Sequence, residues 1–247
     1  MLLTVACARP PSSPSGIDRA KLVDLSHAYD EKTIYWPTSP PFDWKRDAWG
    51  QSAGGYWYAS ATFTTSEHGG THLDSPLHFA EGKWSAADIP VSRLVGPARV
   101  IDVSAACARD RNYLVTRADL ETRGIAEGDI VLIRTDWSRY WPDRKAYMGT
   151  DKPGNTSELS FPGISREAAE LLVARKVAGV GIDTASMDYG PSKDFMSHRI
   201  LTAANIYGLE NLDGLSRLPE SGATLIALPM KIAGGTGGPV RVVAVLP

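Results

Sequence analysis

The run His68-Gly69-Gly70-Thr71-His72-Leu73-Asp74-Ser75-Pro76-Leu77-His78-Phe79 holds three of the chain's five histidines and one carboxylate. Two histidines four apart would share a helix face, but Gly69 and Gly70 lie between them. Two glycines cost a helix roughly 2 kcal/mol against alanine, so a turn leading into a strand fits better. On a strand His72 and Asp74 point to one face while Leu73 points the other way, into packing. The glycines let His68 fold back towards that face. Two imidazoles and a carboxylate converging on one point leave positions open on a bound ion, as a catalytic metal requires. The bland alternative makes His68 and His72 hydrogen-bonded loop residues and Asp74 a turn cap. Four ligand-type side chains in one short run favour the ion.

His78 is either a further ligand or a general base. An ion with three protein ligands needs a neighbour that takes and returns protons, and a neutral imidazole titrates in the right range. The acid/base role is preferred over that of a histidine packed under Phe79.

Outward from this run, residues 57–64 (WYASATFT) alternate apolar and polar, the period of a half-buried strand. Residues 22–28, 99–103, 129–134, 180–183, 224–228 and 240–246 read as further short strands. Thr116 is placed to cap a helix over 117–123, and Ser165 one through Val177 with Gly179 just beyond. Residues 88–94 form a candidate third. The second of these helices leads directly into strand 180–183, an α/β unit. No repeat and no linker follows residue 16, so residues 17–247 read as a single α/β (α+β) domain with a mixed sheet.

Twenty-six basic against twenty-eight acidic residues leave a net charge of -2, without a basic stripe. Nothing points to nucleic acid or an anionic membrane surface, and a small-molecule partner is the default. The two cysteines, Cys7 and Cys107, lack a neighbour at metal-binding spacing, so any metal is held by nitrogen and oxygen. Residues 1–7 are apolar and small, and 8–16 (ARPPSSPSG) form a Pro/Ser-rich spacer. They read as a remnant of an export or lipoprotein signal, or as a flexible arm of a cytoplasmic protein, with the cytoplasm slightly favoured. No stretch approaches the ~20 apolar residues of a membrane span.

In the second half, Asp183, Asp188 and Asp194 lead to His198, and Glu210 follows twelve residues later. Taken alone, that last pair carries little weight. The sequence, however, resembles the cyclase-like metal hydrolases that include bacterial kynurenine formamidases and isatin hydrolases. The likeness rests on the run 68–79, on Tyr35-Trp36-Pro37, on Val131-Leu132-Ile133-Arg134-Thr135, on Val180-Gly181-Ile182-Asp183-Thr184, on His198 with Glu210, and on residues 227–231 (ALPMK). It implies a swivelling β/β/α fold assembled as a homodimer or larger homo-oligomer, such as a homotetramer. It makes His68, His72 and Asp74 ligands of one ion, and Asp74, His198 and Glu210 ligands linking or holding a second. His78 becomes the proton donor and acceptor, and Trp36 a wall of the substrate pocket. The formamidases often carry one glycine where this chain has Gly69-Gly70. Residues 54–58, the Glu67-His68 junction, 79–82 and 183–189 look closer to the isatin-hydrolase branch, where one manganese is typical. Zinc or manganese, as one or two ions, suits such ligands.

The implied reaction is hydrolysis of a formamide or lactam of a small aromatic compound. The ion lowers the pKa of a coordinated water from ~15.7 towards ~7, and Trp36, Trp57 and Tyr58 can stack on a planar substrate. Rival readings are a lactone hydrolase, a metal-dependent lyase or isomerase, and a non-catalytic binding protein. A serine hydrolase is disfavoured by the lack of a Gly-x-Ser-x-Gly elbow. Gly234-Gly235-Thr236-Gly237-Gly238 lacks the lysine of a phosphate loop and reads as a turn before the last strand.

Overall fold

The computed structural model describes residues 18–247; the expected arm at residues 1–16 and Cys7 lie outside the described residues. In chain order the strands are β1 (Leu22–Asp24), β2 (Asp43–Gln51), β3 (Trp57–Thr64), β4 (His72–Asp74), β5 (Val95–Asp102), β6 (Leu114–Val115), β7 (Ile130–Arg134), β8 (Gly163–Ile164), β9 (Gly179–Ile182), β10 (Tyr207–Glu210), β11 (Thr224–Pro229) and β12 (Gly237–Val245). The α-helices are α1 (Ser104–Cys107), α2 (Arg117–Glu121), α3 (Arg144–Met148), α4 (Arg166–Ala174) and α5 (Met196–Ala203).

Eight strands form one mixed sheet in the order β1-β12-β11-β5-β7-β9-β10-β4, and β4 pairs back onto β12. That last pairing closes the sheet into a barrel-like ring, the α/β arrangement expected. The run β5-β7-β9-β10 is parallel. Its central strand β7 is apolar up to its last residue, Arg134, with Ile130, Val131, Leu132 and Ile133 wholly buried, as a strand covered on both faces must be. Helix α4 leads into β9, and α5 links β9 to β10.

The caps at Thr116 and Ser165 form as read, the first reciprocated by Asp119. Helix α4 stops short of Val177 because the chain turns at Lys176, where φ is 54°. The expected helix over 88–94 is only the 3-10 turn Val91–Arg93. Strands β2 and β10 and helices α3 and α5 go beyond the expectation. Helix α5 begins after Phe195, which offers no capping oxygen.

Strand β3 is a strand, but not a half-buried one. It pairs only with β2, through a register shift between Arg46 and Ala48, and the two make a separate ribbon. Without a sheet or helix behind it, the ribbon leaves Trp44, Trp49, Trp57, Tyr58 and Phe63 exposed. Among the described residues no helix is long and apolar enough to cross a membrane.

His27 follows β1 and stacks on Trp141 with ring centroids 4.1 Å apart. Its Nε2 is buried without a partner, and burial pushes its pKa down to about 4 against the pull of Asp213. Above pH 6.5 the ring is neutral in both folded and unfolded chains. Below that, the unfolded chain takes a proton that the folded protein refuses until about pH 4, so stability falls across this window. The loss is at most about 3 kcal/mol. His27→Phe keeps the stacking, and urea unfolding at pH 7 and pH 4 is expected to show a smaller acid loss than in the unaltered protein.

Candidate metal centre

Strand β4 is three residues long and entirely buried. Leu73 enters the core, while His72 and Asp74 share the opposite face. The antiparallel register of β10 sets Glu210 directly across from His72. The other neighbour, β12, sets Gly237 across from Asp74. Ahead of β4, both glycines are required: a Cβ on Gly69 would fall 2.0 Å from the Tyr35 ring, and one on Gly70 would fall 2.6 Å from Tyr29. Gly70 also has φ +58°. The Tyr29 hydroxyl bonds the carbonyls of Gly69 and Thr71, fixing the turn that folds His68 back.

Each of three imidazoles has one nitrogen anchored and the other turned inward. His72 donates from Nδ1 to the Gly70 carbonyl (3.0 Å). That carbonyl also accepts from Asn211, whose side-chain oxygen accepts from Tyr147. The inward Nε2 of His72 lies 3.2 Å from Asp74 Oδ1 and 3.5 Å from Glu210 Oε2, yet is buried without a hydrogen-bond partner. His198, on α5, turns Nδ1 to Asp188 (2.6 Å) and holds Nε2 3.2 Å from Asp74 Oδ2 and 3.1 Å from Glu210 Oε1. Asp188 is itself held by the backbone amides of Ser197 and His198. His68 places Nδ1 2.6 Å from Asp74 Oδ1, with Nε2 2.8 Å from Thr236 Oγ1.

Lone pairs facing carboxylate oxygens repel unless a proton or a cation lies between them. The acidic pair shapes the metal-free protonation accordingly. Burial opposes charge on His72, but Asp74 and Glu210 outweigh it and raise its pKa to about 9. His198 is likewise raised, by Asp188, Asp74 and Glu210 against burial. Burial would raise Asp74, yet His72, His198 and His68 together hold it well below the usual carboxylate range. Glu210 is raised by burial and by Asp74. A divalent cation fits here: the donors are nitrogen and oxygen, and the orphaned Nε2 of His72 aims at the point they share. Ligand atoms of His72, Asp74 and Glu210 lie within 4.8 Å of one another, as do those of His68, Asp74 and His78. Asp74 is common to both groups.

His78 sits on a 3-10 turn after Pro76 and stacks on His68 with centroids 3.8 Å apart. Burial, opposed by Asp74 and reinforced by the other imidazoles, pushes its pKa down to about 3. The cluster opens into a cavity of about 220 Å³ walled by Tyr35, Trp36, Phe79 and Phe195.

Trp36 lines this cavity, 6.2 Å from Phe195 ring to ring. The expectation for Trp57 and Tyr58 is corrected: they are 58% and 53% exposed on the ribbon and do not line the cavity. Asp183 does not line it either, because it accepts from Thr135 and Trp137 and ties β9 to the loop after β7. No motif in the sequence marks Phe195, Asn211 or Thr236 as site residues. Only Phe195's left-handed backbone (φ 50°) marks it, and that is a structural signal with no sequence counterpart.

A closed mixed sheet presenting buried carboxylates and imidazoles to one aromatic-walled cavity defines a metal-dependent enzyme rather than a structural metal protein. The chain belongs to the family described as Putative cyclase, whose model matches residues 23–189. It is 36% identical over 207 residues to an isatin hydrolase of Roseibium aggregatum, covering 78% of this chain and 77% of that one. It is 30% identical over 230 residues to a kynurenine formamidase of Salinibacter ruber, covering 90% and 96%. The structure of isatin hydrolase A from Ralstonia solanacearum superposes with a TM-score of 0.83 at 32% identity, covering 92% of each chain.

A ligand that binds only the folded protein at one hundred times its Kd adds about 2.7 kcal/mol. Saturating divalent ion is therefore expected to raise the melting temperature of the metal-free protein, and Asp74→Asn to abolish the rise. An equal rise in both, read by differential scanning calorimetry, would place the ion elsewhere.

Proposed function

We propose that the chain is a metal-dependent amidohydrolase that opens the lactam of a small, planar aromatic compound, with the formamide of such a compound as the second candidate substrate. The observation that carries this reading is the set of inward-facing nitrogens and carboxylates at the floor of an aromatic-walled cavity. Flat walls such as Trp36 and Phe195 suit a ring, and the polar floor suits the bond to be cut. The lactam is favoured over the formamide by the higher identity to the isatin hydrolase.

His68, His72 and Asp74 hold one ion, zinc or manganese. His198 and Glu210, with Asp74 between, complete that site or hold a second ion. When bound, the ion supplies a water that ionises near neutrality and a positive charge for the developing oxyanion. The chain's own residues do the rest. Trp36 and Phe195 hold the ring so that the amide carbon faces the cluster. His78 accepts the proton released as water adds to that carbon. It returns the proton to the nitrogen as the C–N bond breaks, leaving a carboxylate and an amine. Burial, the main cause of its lowered pKa, leaves the His78 ring neutral at pH 7. Among the described residues its ring nitrogens have no anchoring hydrogen bond, unlike those of His68, His72 and His198. Ligand histidines are ordinarily anchored in that way, which supports the acid/base role. The assembly is a homodimer or homotetramer.

Turnover is tested on isatin, N-formylkynurenine and a simple lactone in parallel, before and after chelation. The expected result is turnover of isatin above the other two, lost with the metal and restored by zinc or manganese. Activity untouched by chelation would sink the reading. His78→Ala is expected to keep its metal and to lose turnover by ~100-fold or more. Loss of metal instead would make His78 a ligand.

A further inference from the structure

The glycine-rich run 234–238 closes over the far side of His68. A Cβ on Gly237 would fall 2.6 Å from the His68 ring, and one on Gly235 would fall 2.9 Å from Glu67 Oε1. The loop is fixed to the end of β4 by Ser75. Its amide donates to the Thr236 carbonyl, and its hydroxyl bonds the carbonyls of Gly235 and Thr236. Ala86 adds a further bond to the Gly235 carbonyl. Small residues and three anchoring donors thus deliver one side chain, Thr236, to one place.

At that place Thr236 donates twice to Glu67 Oε2, from its backbone amide at 3.0 Å and from its hydroxyl. A hydroxyl has a single proton. With that proton committed to Glu67, the oxygen faces His68 Nε2 at 2.8 Å with lone pairs only. It can accept but not donate, so Nε2 must carry the proton and Nδ1 must be the free nitrogen. Nδ1 is the atom beside Asp74. His72 is set the opposite way, protonated at Nδ1 by the Gly70 carbonyl and free at Nε2.

We propose that Glu67 and Thr236 are positioning residues that fix His68 in the tautomer presenting Nδ1 to the metal, and that the glycine loop exists to bring Thr236 to this task. The inference rests on the reading of His68 as a metal ligand.

Three variants and one spectrum test it, all with zinc alone as the probe. Thr236→Val keeps the shape and removes the acceptor. Its zinc affinity, from competition with a chromophoric chelator, is expected to fall by about 10- to 100-fold. Thr236→Ser restores the oxygen and is expected to stay within about threefold of the unaltered protein. Glu67→Gln, which keeps an acceptor for the hydroxyl, is expected to do the same. In the unaltered protein, long-range proton–nitrogen NMR of the zinc-loaded, nitrogen-15-labelled histidines should show His68 protonated at Nε2 and metal-bound at Nδ1. Equal losses in the Val and Ser variants, no loss in the Val variant, a large loss in the Gln variant, or zinc on Nε2 of His68 would each overturn the positioning role. Failure of the unaltered protein to bind zinc at all would overturn the metal-ligand reading together with it.

Discussion

Strand β4 is held on both sides, by β10 and by β12, and that double pairing is the constraint on which the rest depends. A three-residue strand has too little surface to fix its own register. Paired twice and with Leu73 inserted in the core, it has one register available, since a slip of one residue would drive His72 and Asp74 into the apolar core and turn Leu73 towards the cavity. The same pairing closes seven of the strands into a ring and leaves β1 as the edge. It also brings Glu210 to His72 and the glycine loop to His68. The site is a consequence of how the sheet closes.

Two carboxylates at such depth are costly unless positive charge meets them. Here the compensation is built in layers. Asp74 and Glu210 are met by three imidazoles, and each imidazole is turned by an acceptor drawn from a different part of the chain. The Gly70 carbonyl turns His72, Asp188 turns His198, and Thr236 lies behind His68. All three lone pairs thereby face one region, and no outward-facing nitrogen is left unpaired. His78 lacks such an anchor, so the cluster combines three fixed imidazoles with one freer one, all of them lining the cavity.

How much of this was legible in the sequence depends on how far apart the cooperating residues lie. His68, His72, Asp74 and His78 are local, and spacing alone assigns their faces once the two glycines rule out a helix. The apolar strands β7, β9, β11 and β12 declare themselves by composition. His198 and Glu210 do not, because their meeting needs a helix, a turn and a strand between them, and family resemblance had to supply the pair. Thr236 is 168 residues from His68, and without the sheet's topology its loop reads as an ordinary turn. The misplacement of Trp57 and Tyr58 has a different cause. Alternation predicts a strand correctly but does not say whether anything packs behind it.

The central claim is that the inward-facing nitrogens and carboxylates share a divalent cation. Anomalous diffraction at the metal absorption edge, from crystals grown with zinc or manganese, tests it most directly. The account predicts a peak bonded to His72 Nε2, Asp74 and His68 Nδ1. A well-ordered map without a peak there, with those three side chains joined only by protons to one another, would contradict it.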